Sequence, residues 1–258
     1  MFFLYSQNLL PNRQALATLP KGKLLINTIN AHSYNVAQED VLFAEALQKG
    51  DVLTADGASI VHACRWLHTP SQPTERVAGW DVFIYEMTAL EQQAEARKTP
   101  KTVLFMGSSP DVLQRIVERA ALDFPYLKIL TYSPPYKPKF TPEDDAAIIR
   151  AINSANPDLL WIGMTAPKQE KWTYSHWQEL NIRCHVGTIG AVFDFYAGTA
   201  KRAPLWWQQH SLEWLYRLIK EPRRMWRRYI IGNAKFIRNI VREKSDIRNQ
   251  RSYISNQR

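Results

Sequence analysis

Residues 156–172 read NPDLLWIGMTAPKQEKW, and the fold turns on how this stretch is read. Asn156-Pro157 is a turn pair. Leu159-Leu160-Trp161-Ile162 is a run of apolar residues too short for a buried helix and suited to a buried strand. Gly163 ends the run, Met164-Thr165-Ala166 make a short loop, and Pro167 is a residue favoured in the first turn of a helix. Lys168, Gln169 and Glu170 then fall in that first turn. Strand, tight loop and helix start in succession is the unit by which open α/β sheets present ligand-binding groups. The backbone N–H groups of such a helix start attract anions, and Lys168 and Gln169 add side-chain donors. The same pattern also describes an ordinary strand-to-helix connection with a solvated polar turn.

Working outward, short apolar runs alternate with helical patterns. Strands are predicted at 23–29, 51–55, 102–106, 127–131, 159–162 and 182–186, and helices at 38–48, 58–66, 80–96, 110–121, 142–153 and 168–180. Ser109-Pro110 and Thr141-Pro142 are N-cap residues followed by Pro in the first turn. The alternation predicts an α/β, Rossmann-like, mainly parallel sheet with helices on both faces, over 1–203. The 258 residues, 45% apolar and 22% charged, suit a soluble globular chain with room for one large domain and an appendage. Cys64 and Cys184 make no disulfide framework, which fits a reducing compartment. The opening MFFLYSQNLLPNRQ lacks a basic segment and a long apolar run, so no secretory signal is expected.

Charge divides the chain. Residues 200–258 hold 15 Lys/Arg against 4 Asp/Glu, a balance of +11, whereas the rest holds 18 against 20, a balance of −2. From Glu221 onward, 100° steps put Trp226, Tyr229, Ile230, Phe236, Ile237, Ile240 and Val241 on one helical face, with Arg224, Arg227, Arg228, Lys235, Arg238 and Arg242 opposite. The segment 204–258 is therefore expected to be a basic amphipathic helical appendage that lies on an anionic membrane surface. The competing use of that face is packing on its own domain. Self-association is a third use, so a homo-oligomer stays open.

Several residues at strand ends can carry chemistry. Asp56 follows the strand 51–55 and suits a general base for a hydroxyl; an Asp-Gly turn is the plainer reading. Thr28 and Asn30 end the first strand, to line the same crevice or to cap the next helix. Arg76 offers fixed donors to diphosphate oxygens, and Asp81 complements a helix start. Gly107-Ser108-Ser109 is a nucleotide-contacting type of loop without a G-x-G-x-x-G fingerprint. Gly190 lies in another glycine-bearing turn, and Asp194 can accept from a ribose or sugar hydroxyl or serve as a helix-start residue. No metal site and no cofactor are expected: the spacing of His62, Cys64 and His68 matches no zinc pattern, and no Asp-x-Asp occurs.

Taken in order, Asp56-Gly57, RVAGWD at 76–81, PKQE at 167–170, the 190–198 glycine segment with Asp194, Arg202-Ala203-Pro204 and EWLYR at 213–217 resemble the WecG/TagA/CpsF glycosyltransferases, glycosyltransferase family 26. The resemblance spans roughly residues 24–230. Ala58 and Met164-Thr165-Ala166 depart from the family's smaller residues, which touches donor choice rather than the polar groups. The resemblance implies a metal-independent, inverting transfer from a UDP-sugar, often of N-acetylmannosamine type, to a polyprenyl-diphosphate-linked sugar at the cytoplasmic face of the cell membrane. It implies Asp56 as base, aided by Thr28 and Asn30. It also puts Arg76 and Gln169 in the pocket and Arg217, Arg224 and Arg227 at the acceptor's diphosphate; read from their own strand-end and helix-start positions, Gly107, Ser108, Pro167, Lys168, Glu170, Gly190 and Asp194 join the donor-site candidates. A rival reading is a Rossmann-like body with a basic tail acting as a membrane-surface or nucleic-acid adaptor. The near-neutral body and the crevice carboxylate at Asp56 weigh against nucleic acid.

Overall fold

The computed structural model describes residues 2–210 and 212–255, without the side chains of Leu205, Gln209, Arg224 and 250–255. The strands are β1 (Leu24–Ile29), β2 (Val52–Ala55), β3 (Lys101–Gly107), β4 (Leu127–Tyr132), β5 (Leu159–Gly163) and β6 (His185–Thr188), all parallel, in the order β2-β1-β6-β5-β3-β4. A parallel sheet must be covered on both faces, so its central strands read as unbroken apolar runs. In β5, Leu159 and Trp161 point into one core and Leu160 and Ile162 into the other.

Helices α1 (Ala31–Ala37), α2 (Val41–Lys49), α3 (Ala58–Leu67), α4 (Gly79–Arg97), α5 (Pro110–Asp123), α6 (Pro142–Ala155), α7 (Lys168–Ser175) and α8 (Gly190–Tyr196) connect or follow the strands. The first core joins α4, α5 and α8 to the sheet through Phe83, Ile116 and Phe193. On the opposite side, α6 and α7 share one core, and α1, α2 and α3 share another. The predicted starts of α5 and α6 hold: Ser109 accepts from Val112 N, and Thr141 forms a capping box with Asp144.

Three boundaries differ from expectation. A helix at 38–48 was expected alone, but α1 precedes α2. Asn30 and Ser33 form a capping box that starts α1, and Asp40 caps α2 at Phe43 N. The last strand begins at His185 rather than near 182, because Ile182 and Cys184 are buried as approach residues before pairing with β1 and β5 starts. The helix after Pro167 stops at Ser175 and tightens into a 3-10 turn, Trp177–Glu179.

Beyond α8 come α9 (Leu205–Gln209), α10 (Glu213–Lys220), α11 (Pro222–Trp226), a π-helical turn (Arg227–Ile231) and α12 (Gly232–Ser255). The apolar face expected to lie on a membrane is divided. Phe236 and Ile240 are buried against the α1–α3 core, with the Phe236 ring edge-on to Tyr34 at 5.3 Å. Buried Glu243 accepts from Tyr34 Oη at 2.6 Å and from Tyr5 N at 2.7 Å. Trp226, Ile230, Ile231, Ile237 and Val241 stay exposed. Part of the helix thus packs on its own body and part faces outward. Among the described residues, no helix is long and apolar enough to cross a membrane.

Candidate active site

Because all six strands are parallel, their C-terminal ends share one edge, and Asp56, Asn30, Gly107, Ser108, the 167–170 turn and Gly190 end or follow the strands there. Asp56 follows β2, its N–H donating to Ile29 O at 2.9 Å. Asn30 does two things at once. Its Oδ1 accepts from His32 N and Ser33 N, capping α1, and its Nδ2 donates to Asp56 Oδ2 at 3.3 Å. Thr28 pairs in register with Thr54 of β2, one residue inside the edge.

Arg76 is brought beside Asp56 by the bond from Val77 N to Ala55 O, 2.9 Å. Its Nη1 donates to Glu213 Oε2, and Arg202 Nη2 donates to Glu213 Oε1 at 3.3 Å. Arg202 also lies over the Trp80 ring at 4.9 Å, and Arg217 over the Phe195 ring at 5.0 Å. Asp81 accepts from Ala78 N at 2.8 Å and fixes the start of α4. Burial raises the Asp56 carboxyl above the usual carboxylate range. The Asn30 hydrogen bond and the Arg76 charge pull it down, Glu213 pushes it up, and Arg217 pulls it down again. A carboxylate whose proton affinity is raised beside guanidinium groups is suited to taking a proton from a hydroxyl.

Next to this cluster, two loops are tied together by Gln169. Its Oε1 accepts from Met164 N and Gly190 N, both at 3.1 Å, and its Nε2 donates to Glu170 Oε1 at 2.8 Å. A Cβ on Gly190 would lie 2.3 Å from Met164 O, so the loops approach this closely only with glycine there. Gln169 and Glu170 are buried, and burial pushes the Glu170 carboxyl up to about 7 while the Gln169 bond pulls it down. Its Oε2 has no hydrogen-bond partner. Lys168 is engaged by the loop before α6. Its Nζ donates to Lys137 O at 2.6 Å and lies over the Phe140 ring. The two donors expected of this helix start are therefore engaged within the protein. Pro167 stands as the N-cap of α7.

Gly107 and Ser108 form the turn after β3, both with positive φ, and Ser108 O accepts from Ser133 Oγ at 2.9 Å. Asp194 lies on α8, its carboxylate accepting from Thr199 Oγ1 at 3.3 Å. Arg227 is exposed, with its guanidinium over the Trp226 ring at 5.4 Å. Arg224 lies in α11, but its side chain is outside the described residues. Sequence reasoning gave no role to Arg202 or Glu213, although both stand in the stretches that carry the resemblance. Among the described residues, no group of three or more His, Cys, Asp or Glu is gathered to hold a metal.

A doubly wound parallel sheet with a half-buried carboxylate, a guanidinium cluster and close-set loops along one edge defines an α/β enzyme that gathers its ligand-binding groups at the carboxyl ends of its strands. The model of the Glycosyl transferase WecG/TagA/CpsF family matches residues 6–250, and the chain belongs to that family. It is a glycosyltransferase. It is 29% identical over 222 residues, 86% of this chain and 80% of the relative, to the N-acetylglucosaminyldiphosphoundecaprenol N-acetyl-beta-D-mannosaminyltransferase of Bacillus subtilis (strain 168). A protein of the same name from Bacillus spizizenii is 29% identical over 224 residues, 87% of this chain and 80% of that one.

Proposed function

We propose that the protein is an inverting hexosyltransferase that moves a sugar, of N-acetylmannosamine type or a related hexose, from a UDP-sugar to a sugar carried on a polyprenyl diphosphate in cell-surface polysaccharide synthesis. The observation that carries this reading is Asp56, a carboxylate of raised proton affinity held by Asn30 and flanked by Arg76 and Arg217. The names of the relatives support the choice of sugar and acceptor.

Inversion requires one in-line displacement. Asp56 takes the proton from the acceptor hydroxyl, that oxygen bonds to the anomeric carbon, and the carbon–oxygen bond to UDP breaks with its electron pair going to the diphosphate. Charge grows on the leaving group, and guanidinium groups in a partly desolvated site stabilise it. Arg76 is the group assigned to this task, so no metal ion is needed for it. Thr28 and Asn30 hold the base side of the pocket. Gly107, Ser108 and the 167–170 and 190–194 segments form the donor walls. Arg217, Arg224 and Arg227 meet the acceptor's diphosphate. The exposure of Trp206, Trp214 and Trp226 on the basic tail supports a position on the inner face of the cell membrane, where a lipid-linked acceptor resides. The test is a UDP-release assay over a panel of UDP-sugars with a short-chain lipid-diphosphate acceptor. Release that depends on both substrates supports the reading, and release with none of the donors removes it.

A further inference from the structure

The short helix α10 brings two charged side chains, Glu213 and Arg217, to the Asp56 cluster. It has eight residues and buries none of them, so its own core does not hold it in place. Trp214 and Tyr216 touch other residues of the C-terminal segment, Tyr229 and Trp207. Two side chains one turn apart on the same face tie it to the body: Glu213, paired to Arg76 across 137 residues of chain, and Arg217, stacked on Phe195. Glu213 uses both carboxylate oxygens, Oε2 for Arg76 and Oε1 for Arg202. The three side chains of this triad are largely shielded, at 16% exposure for Arg76, 19% for Arg202 and 22% for Glu213, so solvent screens the pairs less than at an open surface.

We propose that Glu213 is a positioning residue for sugar transfer: by accepting from Arg76 and Arg202 together, it seats α10 over the pocket and sets Arg217 beside Asp56. The proposal rests on the reading of Asp56 as the base. The groups facing Asp56 are Asn30 from the start of α1, Arg76 from the loop before α4, and Glu213 and Arg217 from α10. Glu213 acts on the base in two ways. It fixes the geometry of two cations, and its own charge offsets part of theirs.

Glu213→Gln in the full chain keeps the shape and removes the charge. Hydrogen exchange of the amides at 213–220, measured without substrate, is expected to quicken roughly tenfold, as a charge-assisted tie is lost from a local opening. The acid limb of kcat/KM against pH is expected to move to lower pH. Removing the Glu213 charge removes a cause that raises the Asp56 pKa, and any withdrawal of α10 relieves the burial that also raises it, so both act in the same direction. Limb and exchange are therefore read on the same variant: a shifted limb with quickened exchange reports charge and seating together. Exchange at the wild-type rate, or an acid limb that stays or moves to higher pH, overturns the proposal. If the wild-type protein transfers no sugar, the functional reading fails instead, and the exchange comparison still decides whether Glu213 seats α10.

Discussion

Asn30 divides its amide between two neighbours, the backbone of α1 and the carboxylate of Asp56. The sequence offered capping and catalysis as alternatives for it, and the structure shows both contacts. Asn30→Ala is expected to cost about 1 kcal/mol of stability through the lost cap. It also removes the bond that lowers the Asp56 pKa, so the acid limb of kcat/KM moves to higher pH; a limb that does not move would take Asn30 out of contact with the base. Glu170 makes a second prediction. Its carboxyl is raised from 4.5 to about 7 by burial, so the folded protein binds a proton that the unfolded chain releases. Stability from this group is full below the unfolded value and is lost as pH rises through about 7, on the order of 3 kcal/mol for a shift of this size. Glu170→Gln mimics the protonated form. Urea midpoints should match wild type near pH 5 and exceed it at pH 8, and an equal difference at both values would contradict the assignment. Asp56 and Arg76 were legible in the sequence because each stands in a short motif at a strand end or helix start. Glu213 was not, because its partners are set by a tertiary contact that no local pattern encodes.

Five of the six strands were legible to within one residue at either end, since short stretches dense in apolar residues and bounded by turn residues mark strands even where a polar residue such as Asn27 or Lys128 interrupts them. The sixth was displaced, because buried approach residues look like strand residues until the ladder itself is seen. Helix α1 was missed for the opposite reason: AHSYNVA shows little apolar periodicity, and its signal was the Asn30–Ser33 box. The strands also show where glycine is required. A Cβ on Gly187 would come within 2.2 Å of the Trp161 ring, which fills the core beside β6. Gly187→Ala is expected to cost about 1–3 kcal/mol by overpacking, read as a lower urea midpoint at constant slope. A substitution without cost would mean that Trp161 does not occupy that space.

For the molecule as a whole, the basic tail was legible as charge and amphipathicity, but a helical wheel cannot say what covers a face. Neighbouring positions met different fates. Phe236 and Ile240 joined the body's core, while Ile237 and Val241 remained outside. The two groups should separate in experiment. Phe236→Ala and Ile240→Ala are expected to lower stability by about 3 kcal/mol each. Replacing Trp226, Ile230 and Ile237 by Ser should leave the melting temperature nearly unchanged and weaken pelleting with anionic vesicles; unchanged pelleting would remove this face from membrane contact. The proposed enzyme, in which a body-borne base works under a membrane-facing tail, is tested most directly by one comparison. Wild type and Asp56→Asn are assayed for transfer from UDP-N-acetylmannosamine to a short-chain polyprenyl-diphosphate-linked N-acetylglucosamine, with UDP affinity measured alongside. The account predicts transfer by wild type, a loss of roughly 10²–10⁴ in turnover for the variant, and UDP bound equally by both. Full turnover by Asp56→Asn would contradict it.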